Sequence, residues 1–154
     1  MKRCMLILIA LLVLYCQSGM SNAVAADDAV TSEVRKDVER TLDLWREGRY
    51  EDVYRRVIES GGHTKEYFIS SLAAAPRRPS CCWEKMQEVR VSVKDDRRAL
   101  LTAKFGLDTG TGVEFMTRGV KLEKDDGIWK IHMSELFSLS GKGKKVSGGK
   151  KKTK

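Results

Sequence analysis

The chain has 154 residues, 29 of them basic and 21 acidic, for a formal charge of +8. Lys2 and Arg3 open it and seven lysines with no acid lie after Phe137, so Asp27 to Phe137 hold 20 basic and 21 acidic residues. That nearly neutral body excludes the broad basic surface of a nucleic-acid-binding domain, and four cysteines, two of them near the N-terminus, exclude a disulfide framework.

In chain order, the two N-terminal cations precede an apolar run of 13 residues from Cys4 to Cys16, and then small residues at Ala23-Val24-Ala25-Ala26. These are the three parts of a secretory signal, and the run is shorter than the ~20 residues that span a bilayer. Residues 1–26 are therefore expected to be cleaved after Ala25 or Ala26, leaving an exported protein, periplasmic or secreted, without a transmembrane span. Lipidation at Cys16 is disfavoured by Tyr15, where a lipoprotein signal needs a small residue. The mature chain then keeps Cys81 and Cys82 alone.

Three helices are predicted next. Val34, Val38, Leu42 and Trp45 form one helical stripe, with Thr31 or Ser32 as cap and Gly48 at the end. Tyr50, Val53, Tyr54, Val57 and Ile58 form a second, stopped by Gly61-Gly62. Thr64 caps a third, which runs through Tyr67, Phe68 and Leu72 to Pro76. Beyond the linker PRRPS the apolar residues alternate with period two, which predicts four antiparallel strands with turns at DDR, DTGTG and DDG. The Asp126-Gly127 turn sets Leu122 opposite Ile131 and Val120 opposite Met133. A turn at Asp95 to Arg97 sets Val91 opposite Leu101 and Val89 opposite Ala103. A loop from Asp108 to Gly112 sets Val113 opposite Leu107 and Phe115 opposite Phe105. Val113 and Phe115 then differ in parity from Val120 and Leu122, so a β-bulge is expected between Met116 and Gly119. The expected domain, residues 27–137, is α+β: three N-terminal helices packed on a curved four-stranded antiparallel sheet. Residues 138–154 are read as a disordered tail of Lys, Gly and Ser.

The phrase with Trp45, Gly48, Tyr50, Val53 and Tyr54, and the closing hairpin Asp126-Gly127-Ile128-Trp129-Lys130-Ile131, resemble the nuclear transport factor 2-like superfamily, also called cystatin-like. The resemblance covers most of residues 30 to 137. It implies a cone of helices over a bent sheet, with an additional strand or helix between the third helix and the sheet. PRRPSCC leaves that addition little room, as in a reduced version of the fold. Some members are ketosteroid-isomerase-like enzymes with Asp, His or Tyr inside the cone.

The inward face drawn from the expected register carries no acid or base; His132 alternates outward and His63 precedes the third helix. The preferred reading is a non-catalytic domain that binds a small apolar ligand or a protein partner in the helix–sheet concavity. Trp45, Phe68, Phe105, Phe115, Trp129, Ile131 and Met133 would line it. Two alternatives stand beside it: a small ketosteroid-isomerase-like enzyme, and a thiol- or copper-handling protein of the envelope. The second would use Cys81 and Cys82 with Met86, since thiolates and thioethers suit Cu(I); a thiol buried as a small apolar group is the plainer account. No cofactor motif is present. Lys142, Lys144, Lys145, Lys150, Lys151, Lys152 and Lys154 suit contact with an anionic surface, while the tail lacks the aromatics for base stacking.

Overall fold

The computed structural model describes residues 21–59 and 62–142. The expected export signal therefore lies mostly outside the described residues, and so does the tail beyond Lys142. Helix α1 runs Ser21–Arg46, so Thr31 and Ser32 sit inside it rather than capping it. The packed unit begins at Val34, and among the described residues no helix is long and apolar enough to cross a membrane.

The domain is α+β, with four helices and a mostly antiparallel six-stranded sheet. Helix α2 is short, Tyr50–Tyr54. Val57–Ile58, expected to extend it, form strand β1, a change that suits two β-branched residues better than a helix end. β1 pairs in parallel with the last strand, Val57 opposite Ile131. Helix α3, Lys65–Ala73, is capped as expected, with Thr64 Oγ1 accepting from the Tyr67 N–H at 3.2 Å.

The linker is not empty. Arg78–Pro79 form strand β2, Cys82–Lys85 a 3-10 turn, and Met86–Val93 strand β3. Strands β4 (Arg98–Asp108), β5 (Val113–Asp125) and β6 (Ile128–His132) follow. The sheet order is β1-β6-β5-β4-β2, with β3 beside β2 on one edge of β4. Met133–Leu139 turn into helix α4 and bury Met133, Leu136 and Leu139, although Met133 to Phe137 were expected to continue the last strand and Ser138 and Leu139 to begin the tail. Val120 therefore has no strand partner at Met133. The packed chain also runs past Phe137, through buried Leu139 and Ser140.

Two expected pairings hold, Leu122 with Ile131 and Val91 with Leu101. The bulge lies elsewhere. The β4–β5 ladder is regular from Arg98–Glu123 to Asp108–Val113, with Gly119 opposite Thr102. The register instead shifts in β3 between Gln87 and Arg90, where Glu88 has a left-handed φ of 52°. The loop before β5 is one residue shorter than expected, which sets Val113 opposite Asp108 and Phe115 opposite Gly106. Both side chains consequently face outward: Val113 is 39% exposed and Phe115 45%. A one-residue slip reverses every side chain it governs, so Glu114, Met116 and Arg118 turn inward in their place.

The core lies between α1 and the sheet. Val34, Val38, Leu42 and Trp45 from the helix are buried, as are Leu101, Phe105, Trp129 and Ile131 from the strands. A polar network ties the two layers. Asp37 accepts from Arg56 Nη2 at 2.7 Å and from the Trp129 backbone N–H at 3.0 Å. Buried Thr41 accepts from Arg56 Nε at 3.1 Å and donates to the Asp37 carbonyl. Each partner satisfies a group whose burial alone would be costly.

Candidate functional site

The residues expected to line a ligand concavity separate into two sets. Trp45, Phe68, Phe105, Trp129, Ile131 and Met133 are all buried and pack as core. Phe115 is on the opposite face of the sheet. The charged residues that the corrected register turns inward are ion-paired: Glu114 faces Arg77 Nη2 at 3.3 Å, and Arg118 Nη2 faces Glu135 of α4 at 3.6 Å. His63 stacks on Tyr67 with ring centroids 4.5 Å apart and meets the edge of Phe137, while His132 stands 4.0 Å from Glu123. The ketosteroid-isomerase-like alternative needs an uncommitted acid or base inside the cone, and these groups are committed to neighbours.

Among the described residues, three of the four large exposed apolar side chains, Trp83, Val113 and Phe115, are carried by elements that meet at one corner, where β2, β3, β4 and β5 come together; the fourth, Tyr67, is on α3. Ser80 N–H donates to the Gly106 carbonyl at 2.9 Å, and Met86 pairs with Phe105. Residues 80–86 thus leave the edge of β4 at one residue and return at the next. The excess chain has to fold over a face of the sheet, and Gly106 provides the room. A Cβ there would lie inside contact distance of the Glu84 carbonyl oxygen and 2.8 Å from Ser80 Oγ. The far end of the turn is tied to α1 by Lys85 Nζ, 2.7 and 2.8 Å from the two carboxylate oxygens of Asp43.

Cys81, Cys82 and Trp83 ride on this turn. Both cysteines are free and exposed, and Trp83 is 72% exposed. Phe115, directly opposite Gly106, is on the face that the turn crosses. Lys104 Nζ stands 4.9 Å from the centre of the Phe115 ring, a cation–π distance. Arg90 and Lys121 share this face by register, opposite Thr102 and Leu100, and form no ion pair among the described residues.

Cys82 adopts a left-handed φ of 58°, rare for a residue other than glycine. A hydrogen bond with Cys82, together with desolvation and the charges of Cys82 and Glu84, pushes the Cys81 thiol above its ordinary value; Arg46 opposes this in part. Met86 is buried beside Phe105, so the expected thioether is withdrawn from the two thiols. Among the described residues no group of three or more His, Cys, Asp or Glu is placed to hold a metal ion. The exposed Trp83 and the outward Phe115 were not singled out by strand alternation, because one follows from an irregular turn and the other from a one-residue change in loop length. Comparison of the sequence with protein-family models and with curated proteins finds no match.

Proposed function

We propose that this chain is an exported binding domain of the nuclear transport factor 2-like kind that takes a protein partner on the outer face of its sheet, at the Gly106 corner. One observation carries the reading. Trp83, Val113 and Phe115 are exposed at this corner, whereas the aromatic residues facing the helices are buried. Exposed apolar side chains gathered in one place mark interaction surfaces, and tryptophan is the residue type most often found at their energetic centre. Lys104 stands over Phe115, and Arg90 and Lys121 follow farther along the same face, so the partner has an apolar centre with acidic groups toward that side. The family reading is supported by helices α1 to α3 preceding a mostly antiparallel sheet. It is further supported by β2 and the 3-10 turn, which occupy the linker where the resemblance implies an additional element.

Photocrosslinking in the native host tests this. A crosslinking residue at Phe115 should capture a discrete partner, and capture should fall at least tenfold with Trp83→Ser. The same residue placed at Tyr67, exposed on α3, should capture nothing. Equal capture from both positions, or none from Phe115, refutes the surface. N-terminal sequencing of exported material, expected to begin at Ala26 or Asp27, tests the export step.

A second reading, a small ligand between helices and sheet, is favoured by a different observation. Trp45 Nε1 and Trp129 Nε1 are buried without an acceptor, and buried donors are nearly always paired. Native mass spectrometry of protein taken from its host would show the bound molecule. A mass equal to the bare chain removes this reading.

A further inference from the structure

We propose that Cys81 and Cys82 are a vicinal dithiol that a small disulfide oxidises to an intramolecular Cys81–Cys82 bond, resetting the turn that carries Trp83. The site does not depend on the partner surface proposed above.

Three observations lead to it. The two thiols belong to neighbouring residues and are both solvent-accessible, so the second sulfur is close by when the first reacts. That arrangement gives the intramolecular step a large effective concentration over a thiol from another molecule. The residues around them are free to respond, since the side chains at 81 to 83 are exposed. The excursion is tied at its ends, by Ser80 against Gly106 and by Lys85 against Asp43, and rests on β4 at the Glu84 backbone, beyond the two cysteines. Finally, Met86 is turned into the core, so the thioether is not exposed beside the two thiols.

The exchange is balanced. One cysteine, as thiolate, attacks a sulfur of the small disulfide RSSR; that S–S bond breaks and RSH leaves, giving a protein–SR mixed disulfide. The other cysteine then gives up its proton and attacks the protein sulfur of this intermediate, expelling the second RSH. Two protein thiols are oxidised and one RSSR is reduced to two RSH. Adjacent Cα atoms lie ~3.8 Å apart across a trans peptide, below the usual ~4.4–6.8 Å of a disulfide. The ring is therefore strained and readily reduced, as labile, regulatory disulfides are. Closing it requires new backbone angles at Cys82, which already occupies a disfavoured region, and Trp83 moves with them.

The test uses the full chain, reduced and then equilibrated with a series of oxidised-to-reduced glutathione ratios. Alkylation and peptide mapping follow. The expected species is a monomer whose 81–82 peptide is two hydrogens lighter and resists alkylation, and which dithiothreitol reverses. Tryptophan emission should shift in step with it, and Trp83→Phe should abolish the shift because Trp45 and Trp129 are buried. Cys81→Ser should stop at a single glutathione adduct on Cys82. The proposal is overturned by a lasting glutathione adduct on the native pair, by a disulfide-linked dimer, by thiols that stay alkylatable at every ratio, or by a closed ring with unchanged Trp83 emission.

Discussion

Alanine at Gly106 and alanine at Gly119 should move stability in opposite directions. Both glycines lie in the regular β4–β5 ladder, and neither has a positive φ, so the backbone accepts a side chain at either position. Where nothing intervenes, Gly→Ala stabilises by ~0.4–1 kcal/mol through the unfolded chain. At Gly119 the nearest atom to the new methyl is Leu100 Cδ1 at 3.3 Å, the tip of a side chain able to yield, so most of that gain remains. At Gly106 the methyl meets backbone instead: the Glu84 carbonyl carbon is 3.0 Å away and Ser80 Oγ 2.8 Å. The turn must lift, at a cost typical of overpacking, ~1–3 kcal/mol. The gain through the unfolded chain is common to both variants, so they should differ by about the overpacking cost, ~1–3 kcal/mol. Urea denaturation followed by tryptophan fluorescence measures the difference, and exposure of Trp83 to iodide quenching reports the displaced turn. Equal midpoints for the two variants, or an undisturbed Trp83 in Gly106→Ala, would refute the placement of the turn against Gly106.

Trp129→Ala should cost ~3–5 kcal/mol, as for other buried aromatics, out of the ~5–15 kcal/mol that holds a small domain together; His132→Ala should cost under ~0.5 kcal/mol, and comparable losses by chemical denaturation would reverse the two faces of β6. Ending the chain after Phe137 should lose the ~1.5–3 kcal/mol from burying Leu139, whereas ending it after Lys142 should leave the melting temperature unchanged. Asp95 accepts a hydrogen bond from the Arg98 side chain and others from the Arg97 and Arg98 backbones, and these hold its carboxyl below the ordinary value of 3.8. Because the charged form is favoured in the fold, its contribution is present above that value and disappears as pH falls through the lowered one. The stability difference between the native chain and Asp95→Asn should thus be constant from neutral pH to about pH 5 and shrink below about pH 4; a difference that grows on acidification would contradict the pairing.

Helices α1 and α3 and strands β3 to β6 were legible because their burial follows a period, and a period survives in the sequence whatever the connections do. Leu122 against Ile131 was legible for a related reason: a two-residue Asp-Gly turn leaves the register no freedom. Phe115 was misplaced because the loop before β5 has no such constraint, and a change of one residue there reverses Val113 and Phe115 together. The apparent parity conflict in β5 was real in the residues, but the chain resolves it by exposing the first apolar pair instead of inserting a bulge. Two-residue strands such as Val57–Ile58 and Arg78–Pro79 are too short to show any period. The candidate surface was only partly visible: Cys81-Cys82-Trp83 stood out as a sequence, but its position over Gly106 depends on a tertiary contact that no local pattern encodes.

The contact between Asp37 and the backbone of Trp129 joins residues 92 positions apart, and β1 pairs with the final strand. Closure of so long a loop carries an entropic cost that later contacts must offset, and non-local pairing of this kind slows folding. Strands β3 to β5 can pair without β6, but neither the Asp37 carboxylate nor β1 finds its partner in the sheet until the last hairpin has been made. The final strand is thus the clasp that joins the N-terminal helices to the sheet.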